Sequence, residues 1–453
     1  MIVIPRDLAR AFPAVAKKCL TGRPRGPAPA VVCRVANGVR TLWTRIDGVG
    51  LRHTAPADGA DETLLIPMDV FAAIEAPKPE PVEVSVDAKL RGTASWSDRG
   101  QQHTHRFTAL RPGKQHAIPE LPAGLTPMPE SLRSALHECS RSAARDPEGR
   151  FALSYVQLRG DTRQVIGTDA KQALIWGGFA FPFTDSILVP AIPVFGSREL
   201  PDAPVQIGRD KDEFMVVCGP WSVHLPIAAG KYPDVRQVLP KPGAGTSVTL
   251  DDAQAAELLR MLPSLPAARS DDHPVTIELS REVIFRAQDE TTGTVEEFVL
   301  RAGVTGPPIM VAVNRQFVER ALRFGCRTLR VVGQRMMSCE GTDRQILLAP
   351  LDASMVVPEP KSQYQSPALP PRSNTMKPDT SGAANGRHPP PAAEPETDDP
   401  LAEAEAIRTL LVEVGTRFGR LVGILRSARK EKKVLANVWA GLKQLNLAPG
   451  GTS

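Results

Sequence analysis

The sequence lacks a long apolar segment and a recognisable leader. No run approaches the ~20 consecutive apolar residues that a membrane-spanning helix needs. The first twelve residues, Met1 to Phe12, hold no charged stretch followed by a long apolar core, so we expect no secretion signal. Mean hydropathy is -0.17. These absences predict a cytoplasmic protein without a membrane partner, and a nucleoid-associated one if it binds DNA.

Cysteine is scarce and scattered. The 453 residues contain six cysteines, and no two of them form a CxxC pair. A disulfide framework or a cysteine-based metal site would need closer or more regular spacing. The pattern predicts a chain kept in a reducing compartment, with buried free thiols.

Catalytic and cofactor motifs are also missing. The sequence contains no GxSxG, HExxH or EF-hand pattern, and residues 241–247 lack the order of a phosphate-binding loop. His103 and His105 alternate along a strand-like run without a third ligand nearby, which favours a polar strand face over a metal site. We predict a protein with no cofactor that is not an enzyme. An enzyme with an unrecognised site is the alternative, and it would need a pocket of converging titratable groups.

A long internal repeat organises the first three quarters of the chain. A strand leading into an amphipathic helix recurs around Pro67, Pro190 and Val313, which are 123 residues apart. Another helix precedes each copy and a group of short strands follows it. This predicts an α+β fold of three repeated domains, each with short antiparallel strands and two helices. The predicted domains span residues 1–122, 123–243 and 244–352.

The remainder of the chain changes character twice. Residues 353–400 are rich in proline and polar residues and cannot bury enough apolar surface to fold, so they are predicted to be a disordered linker. Residues 401–447 regain apolar positions at steps of three and four, among them Leu410, Val414 and Leu421. This spacing predicts a helical, coiled-coil-like tail.

Two segments of the middle repeat carry a family resemblance. Gly167-Thr168-Asp169-Ala170 follows a strand, and Tyr232-Pro233-Asp234 precedes Val238-Leu239-Pro240. In this order and spacing they resemble the middle domain of the bacterial replicative sliding clamp, the beta subunit of DNA polymerase III, which has TDGHRL and FPDYRRVLP there. The resemblance covers Met1 to about Asp352. It extends to Gly22-Arg23-Pro24 and to the run Leu347 to Leu351.

The resemblance implies a homodimeric ring of six such domains, joined head to tail around double-stranded DNA. Such a ring needs cationic side chains that face the phosphates without reading sequence. Taken one by one, these cations are better explained as the solvated face of an amphipathic helix. Their recurrence on equivalent helices favours phosphate contact. The candidates are Arg10, Lys17, Lys18, Arg133, Arg141, Arg260, Arg315, Arg320 and Arg323 on helices, with Arg23 in a loop.

The resemblance also implies an apolar cleft between the second and third domains. In the family, DNA polymerase and the clamp loader insert QLxLF-like peptides there. Ala170-Lys171-Gln172 replaces the usual Gly-His-Arg and Ala349 replaces a methionine, so the peptide preference is open. Packing of one domain on the next is the alternative interpretation for each position. The cleft candidates are Leu153, Thr168, Ala170, Lys171, Gln172, Leu174, Pro233, Gln237, Val238, Leu348, Ala349, Pro350 and Leu351.

The end of the tail suggests a further hypothesis. Gln444, Leu445 and Leu447 resemble the family's clamp-binding peptide, and a flexible linker of roughly 40 residues would hold them at effective concentrations near the millimolar scale. The tail is thereby a candidate occupant of the cleft. A coincidental match on a helix end is the favoured alternative, because short motifs occur often by chance.

The sequence therefore predicts a sliding clamp of DNA replication, a processivity factor that tethers DNA polymerase to the duplex. The alternative is a diverged clamp paralogue that acts as a regulatory or scaffold protein through its tail. The altered cleft residues, the long extension and the net charge of +5 favour this alternative.

Overall fold

The computed structural model describes residues 1–22, 26, 28–122, 124–145, 152–241, 243–266 and 272–359. All of them belong to one compact unit. Arg23, the tail 401–447 with Gln444, Leu445 and Leu447, and the linker beyond Glu359 lie outside the described residues. The predictions made for them stay predictions. Within the described part, no helix is long and apolar enough to cross a membrane.

The first repeat contains eight strands and two helices. Helix α1 forms because Leu8, Phe12 and Val15 recur at helical spacing and are fully or nearly fully buried. The elements are β1 (Ile2–Pro5), α1 (Arg6–Lys18), β2 (Val31–Ala36), β3 (Val39–Ile46), β4 (Val49–Pro56), β5 (Glu62–Ile66), α2 (Asp69–Ile74), β6 (Pro81–Val86), β7 (Arg91–Asp98) and β8 (Gln101–Thr108).

The second repeat has the same strand order but only one full helix. The predicted second helix is wrong, since a short 3-10 turn, Pro193–Gly196, stands in its place. Pro193 occupies the first position of this turn, where its missing N–H costs nothing, and Gly196, a poor helix former, is its last residue. The elements are β9 (Thr126–Met128), α3 (Ser131–Ser142), β10 (Tyr155–Arg159), β11 (Gln164–Thr168), β12 (Gln172–Trp176), β13 (Ser186–Pro190), β14 (Val205–Arg209), β15 (Glu213–Cys218) and β16 (Trp221–Pro226).

The third repeat again has two helices. The first of them begins at Asp251, whose carboxylate accepts the Gln254 amide at 2.8 Å as an N-cap. The elements are β17 (Thr246–Thr249), α4 (Asp252–Met261), β18 (Pro274–Leu279), β19 (Val283–Gln288), β20 (Val295–Leu300), β21 (Val304–Thr305), β22 (Ile309–Asn314), α5 (Arg315–Arg323), β23 (Thr328–Val332), β24 (Met336–Glu340) and β25 (Arg344–Leu348).

Every repeat contributes two four-stranded half-sheets, and consecutive repeats join through them. Strand β4 of the first repeat pairs antiparallel with β16 of the second, which gives the sheet β5-β2-β3-β4-β16-β15-β14-β9. Strand β12 pairs with β25 in the same way, and the small strand β21 extends that sheet to nine strands. The half-sheets β1-β6-β7-β8 and β22-β18-β19-β20 are left at the two ends. Pairing of edge strands is thus what holds the repeats in line.

One hydrophobic cluster runs through all three repeats. The prediction of buried, unbridged thiols is confirmed, since all six cysteines are buried and free. Burial raises the pKa of Cys19 to about 12 and that of Cys326 to about 11. These thiols are therefore protonated and unreactive at neutral pH.

A buried histidine lies at the joint between the first two repeats. His53 on β4 stands opposite Trp221 on β16, with ring centroids 4.6 Å apart. Burial and the nearby Arg40 guanidinium lower the pKa of His53 from 6.5 to about 4. Folding therefore favours the neutral imidazole.

We predict that this histidine makes the first joint acid-sensitive. Between pH 6.5 and 4 the unfolded chain binds a proton at His53 that the folded chain does not, so the free energy of unfolding falls as pH falls. The loss attributable to His53 reaches about 3 kcal/mol near pH 4. Urea unfolding of the wild type and the His53→Phe variant at pH 7 and 4.5 measures it. Equal pH dependence of the two proteins would contradict the prediction.

Candidate functional site

The helices of the three repeats form one continuous row. Helix α1 packs against α2 and against the turn Pro193–Gly196, α3 packs against the same turn, and α4 packs against α5. Arg320 connects α5 back to α3. At each joint, the first helix of one repeat thus meets the second helix, or its substitute, of the next. All the described sequence-predicted DNA-binding cations lie along this row.

Arg320 holds the joint between the second and third repeats. Its guanidinium donates to the Glu138 carboxylate at 2.9 Å, to the Glu138 carbonyl at 2.6 Å and to the Gln172 amide oxygen at 3.2 Å. Only 13% of the Arg320 side chain is exposed. Burial lowers the pKa of Arg320, and the Glu138 carboxylate opposes that shift. The geometry gives this residue a role in holding two repeats together.

Three further candidate cations have structural partners. The prediction that Arg315 contacts DNA is wrong, because its guanidinium is buried and donates to the carbonyls of Leu265 and Pro266. Arg133 ties α3 to the carbonyls of residues 195 and 201, at 3.1 and 2.8 Å. Lys18 bonds Ser197 at 2.9 Å and Glu199 at 3.3 Å across the first joint. Sequence alone could not separate these partnered cations from free ones.

The remaining candidates are accessible. Arg10, Lys17 and Arg260 are exposed, and no side-chain bond of theirs occurs within the part of the chain that the structure describes. Arg141 and Arg323 keep 60% and 61% of their side chains exposed, while each pairs with a glutamate on its own helix. Such exposed pairs are weak and can exchange for another anion.

A cavity of about 880 Å³ opens between α3 and α5. Four arginines line it, against two glutamates, so its surface carries a cationic excess. Arg145 belongs to this set and was missed by the sequence analysis, since it follows the last turn of α3 outside the helical pattern. The lining charged residues are Glu138, Arg141, Arg145, Glu319, Arg320 and Arg323.

The first cleft segment forms a tight turn between β11 and β12. The Thr168 hydroxyl donates to the Gln172 carbonyl at 2.6 Å, and Asp169 accepts the amides of Lys171 and Gln172 at 2.9 and 2.8 Å. Asp169 therefore caps backbone N–H groups of its own turn. Ala170 has φ of 74°, a conformation that suits glycine better, so the turn is held against backbone strain.

Gly167 explains the close approach of helix α3 to this sheet. A Cβ atom at this position would stand 2.0 Å from the Cys139 carbonyl oxygen. No larger residue fits without moving the helix away from β11. The glycine of the motif therefore has a packing reason that its sequence context did not reveal.

The two faces of β12 separate the cleft candidates. Leu174 faces the main core and is completely buried, and Thr168, Gln172 and Leu348 are also buried. On the opposite face lies a small apolar patch that we call the outer patch, formed by Ile166, Ala173, Ile175, Val235 and Leu347. Residues at alternate positions of a strand point to opposite faces. The predicted cleft residue Leu174 therefore points into the main core, whereas its neighbours Ala173 and Ile175 belong to the outer patch.

Tyr232, next to the cleft candidate Pro233, packs against the outer patch, and the remaining cleft candidates differ in their exposure. Tyr232 donates its hydroxyl to the Ile166 carbonyl at 3.3 Å, and burial raises its pKa well above the ordinary value. Val238 is 56% exposed, which is unusual for a large apolar side chain. Leu153, Pro233, Pro350 and Leu351 are half-buried, and Ala170, Lys171, Gln237 and Ala349 are exposed. The outer patch itself is buried under Tyr232, Leu239 and Met336, and Val238 is the exposed apolar side chain next to it.

We predict that Arg320 stabilises the second joint. Arg320→Met removes the buried one of the two arginine partners of Glu138, leaving the exposed Arg141, and lowers the free energy of unfolding by about 2 kcal/mol. Arg91→Met is the control, since its ion pair with Asp87 is exposed on both sides and adds little to stability. Urea unfolding of the two variants compares them. Equal stability would show that Arg320 is a surface cation after all.

Comparison with known proteins gives a match in structure and not in sequence. No family model matches the sequence, and no curated protein does. The DNA polymerase III subunit beta of Pseudomonas aeruginosa is similar with a TM-score of 0.63 and 17% identity, over 77% of this chain and 99% of that one. The beta subunit of Thermotoga maritima gives 0.62 and 15%, over 78% and 99%. That of Borrelia burgdorferi gives 0.61 and 13%, over 78% and 99%.

These neighbours are whole sliding-clamp chains, each matched over nearly its full length. At such identities the likeness shows the fold, and the threefold strand order supplies the same result independently. The resemblance found in the sequence is confirmed at this level. The chain has the fold of the bacterial DNA polymerase III beta subunit, the sliding clamp.

Proposed function

We propose that this protein is a ring-forming DNA clamp, a non-catalytic processivity factor that encircles duplex DNA and tethers partner proteins to it. The observation that carries the proposal is the repeated joint. The last strand of one half-sheet, β4 or β12, pairs with the last strand of the next repeat's other half-sheet, β16 or β25. In the third repeat the strand equivalent to β4 and β12 is β20, at the edge of its half-sheet. In the first repeat the strand equivalent to β16 and β25 is β8, also at an edge.

The free strands β20 and β8 are therefore the two halves of one more joint. A second copy of the chain supplies the missing half at each end, which gives a head-to-tail dimer of six repeats. Unpaired edges of this length favour pairing with another strand. The charges agree with this partner, since β20 carries Glu296 and Glu297 whereas β8 carries Arg106 with His103 and His105.

The row of helices supplies the surface that would face the DNA. A ring that slides needs mobile cations near the phosphates and no base readout. Arg10, Lys17, Arg260, Arg141 and Arg323 meet this requirement because they are accessible. The cavity between α3 and α5 adds Arg145.

The proposed partner site consists of the exposed Val238 with Tyr232 and Leu239, the half-buried side chains that cover the outer patch. DNA polymerase and a clamp loader are the partners that the clamp fold suggests, bound through short apolar peptides of the QLxLF type. Such peptides gain affinity by burying a few anchors in an apolar groove. Lys171 and Gln237 at the rim would set the preference for charge next to those anchors.

A second function is favoured by one specific observation. The solved clamps match only 77–78% of this chain, and 102 residues follow Leu351. The alternative is a diverged clamp paralogue in which this extension recruits or regulates partners on DNA. It keeps the ring and changes the client protein, so ring formation alone does not separate the two functions.

We predict that the joint between chains depends on the charge of β8. Arg106→Glu places a like charge near Glu296 and Glu297 of a second copy and raises the dimer dissociation constant at least tenfold at low salt. Analytical ultracentrifugation measures this constant. Lys89→Glu in the β6–β7 turn is the control with the same charge change on the same half-sheet. If both variants dissociate equally, net charge rather than the β8–β20 joint governs association.

We also predict which cations bind DNA. Replacing Arg10, Lys17 and Arg260 with glutamine reduces the slope of log affinity against log salt by about 3 for each chain, since each lost phosphate contact removes about 0.9. Fluorescence anisotropy with a linear duplex at stepped salt concentrations measures the slope. The control replaces Lys89, Lys211 and Arg281, which lie in strand turns. A larger change in the control would contradict the proposed DNA-facing surface.

A further inference from the structure

The first residues of the extension are fixed to the end half-sheet of the third repeat. We call residues Asp352 to Glu359 the strap. The Leu351 amide just before it donates to the Ala312 carbonyl on β22 at 2.8 Å, and the Val357 amide donates to the Thr276 hydroxyl on β18 at 2.8 Å. The strap therefore crosses from β22 to β18 along the sheet.

This path follows a single row of paired residues. Ala312, Thr276, Arg286 and Glu297 stand directly opposite one another on β22, β18, β19 and β20. Their neighbours Phe285 and Phe298 pack into the core, so the row lies on the opposite, outer face. The strap runs along the row toward β20, the free edge strand.

Arg286 connects the strap to that edge strand. Its guanidinium bonds Glu278 on β18 at 2.6 Å and Glu297 on β20 at 2.5 Å. Although it lies on the outer face, only 2% of its side chain is exposed. Residues Ser354 to Val357 line one side of a cavity of about 210 Å³ whose other side includes Thr276 and Arg286. The strap therefore stands across this cavity from the Arg286 guanidinium, on the side away from the core, while Glu297 keeps 32% of its side chain exposed.

We propose that the strap braces the edge strand β20 through Arg286 and thereby strengthens the joint with a second copy of the chain. The Arg286 guanidinium is 2% exposed, and solvent screens a pair with one shielded partner less than it screens a fully solvated pair. When β20 is held in place on its β19 side, it loses less conformational entropy on pairing with a partner strand at its free edge. The statement about the joint rests on the proposed ring, whereas the brace itself does not.

Hydrogen exchange of the β20 amides tests the brace directly. A chain ending at Leu351 lacks the strap, and we expect its β20 amides to exchange at least tenfold faster than those of the full chain. A chain ending at Glu359 keeps the strap and is expected to match the full chain. The β6–β7 amides of the first repeat serve as an internal control. Unchanged exchange in the chain ending at Leu351 overturns the proposal.

A full-length variant covers the case in which the shortest chain does not fold. Thr276→Val keeps the side-chain shape but removes the acceptor of the Val357 amide, and we expect faster β20 exchange. The matched control is Thr249→Val on β17. The Thr249 hydroxyl bonds the Thr328 hydroxyl at 3.0 Å and makes no contact with the strap. Equal exchange in both variants overturns the brace.

Sedimentation of the same proteins separates the brace from the ring. We expect the dimer dissociation constant of Thr276→Val to rise several-fold over that of Thr249→Val. If the full chain stays monomeric at every concentration, the proposed ring is overturned while exchange still decides the brace. If the chain dimerises equally with and without the strap contact, the effect on the joint is overturned.

Discussion

Antiparallel pairing of edge strands is the constraint on which the rest of this molecule depends. Taken alone, each repeat has an edge strand at the end of each half-sheet, and such an edge presents a row of free backbone groups with which another strand can pair. Within the chain, β4 with β16 and β12 with β25 satisfy four such edges. Helix contacts and salt bridges form across joints that the strands have already set. The same rule, applied to β8 and β20, generates the proposed dimer.

The joints also account for how the cations are distributed. Arg320 and Lys18 cross the two internal joints on the helix side, where they hold neighbouring repeats. A cation that is bound to a carboxylate in this way is not free to follow a moving phosphate. The sliding function proposed here therefore rests on fewer, more exposed side chains, chiefly Arg10, Lys17 and Arg260. Rigidity and DNA contact are assigned to different residues on the same row of helices.

Much of the fold could be predicted from the sequence, because a 123-residue repeat and alternating apolar residues specify strands and domains locally. The failures have identifiable causes. In place of the predicted second helix stands only the turn Pro193–Gly196, which stops at the poor helix former Gly196. Arg315 and Arg133 look like free cations until the carbonyls that receive them are placed by tertiary folding. Leu174 and Ala173 differ by one position, which moves a side chain to the other face of the sheet.

Retention on circular DNA tests whether the protein forms a closed ring around the duplex. The protein is loaded onto closed circular plasmid in an extract that supplies a clamp loader and ATP, washed at high salt, and the plasmid is then cut once. A closed ring stays on the circle through the wash and leaves when the DNA becomes linear, since electrostatic contacts alone fade with salt. Loss from circle and line alike, where a known clamp is retained, would contradict the account and leave a clamp fold used for another purpose.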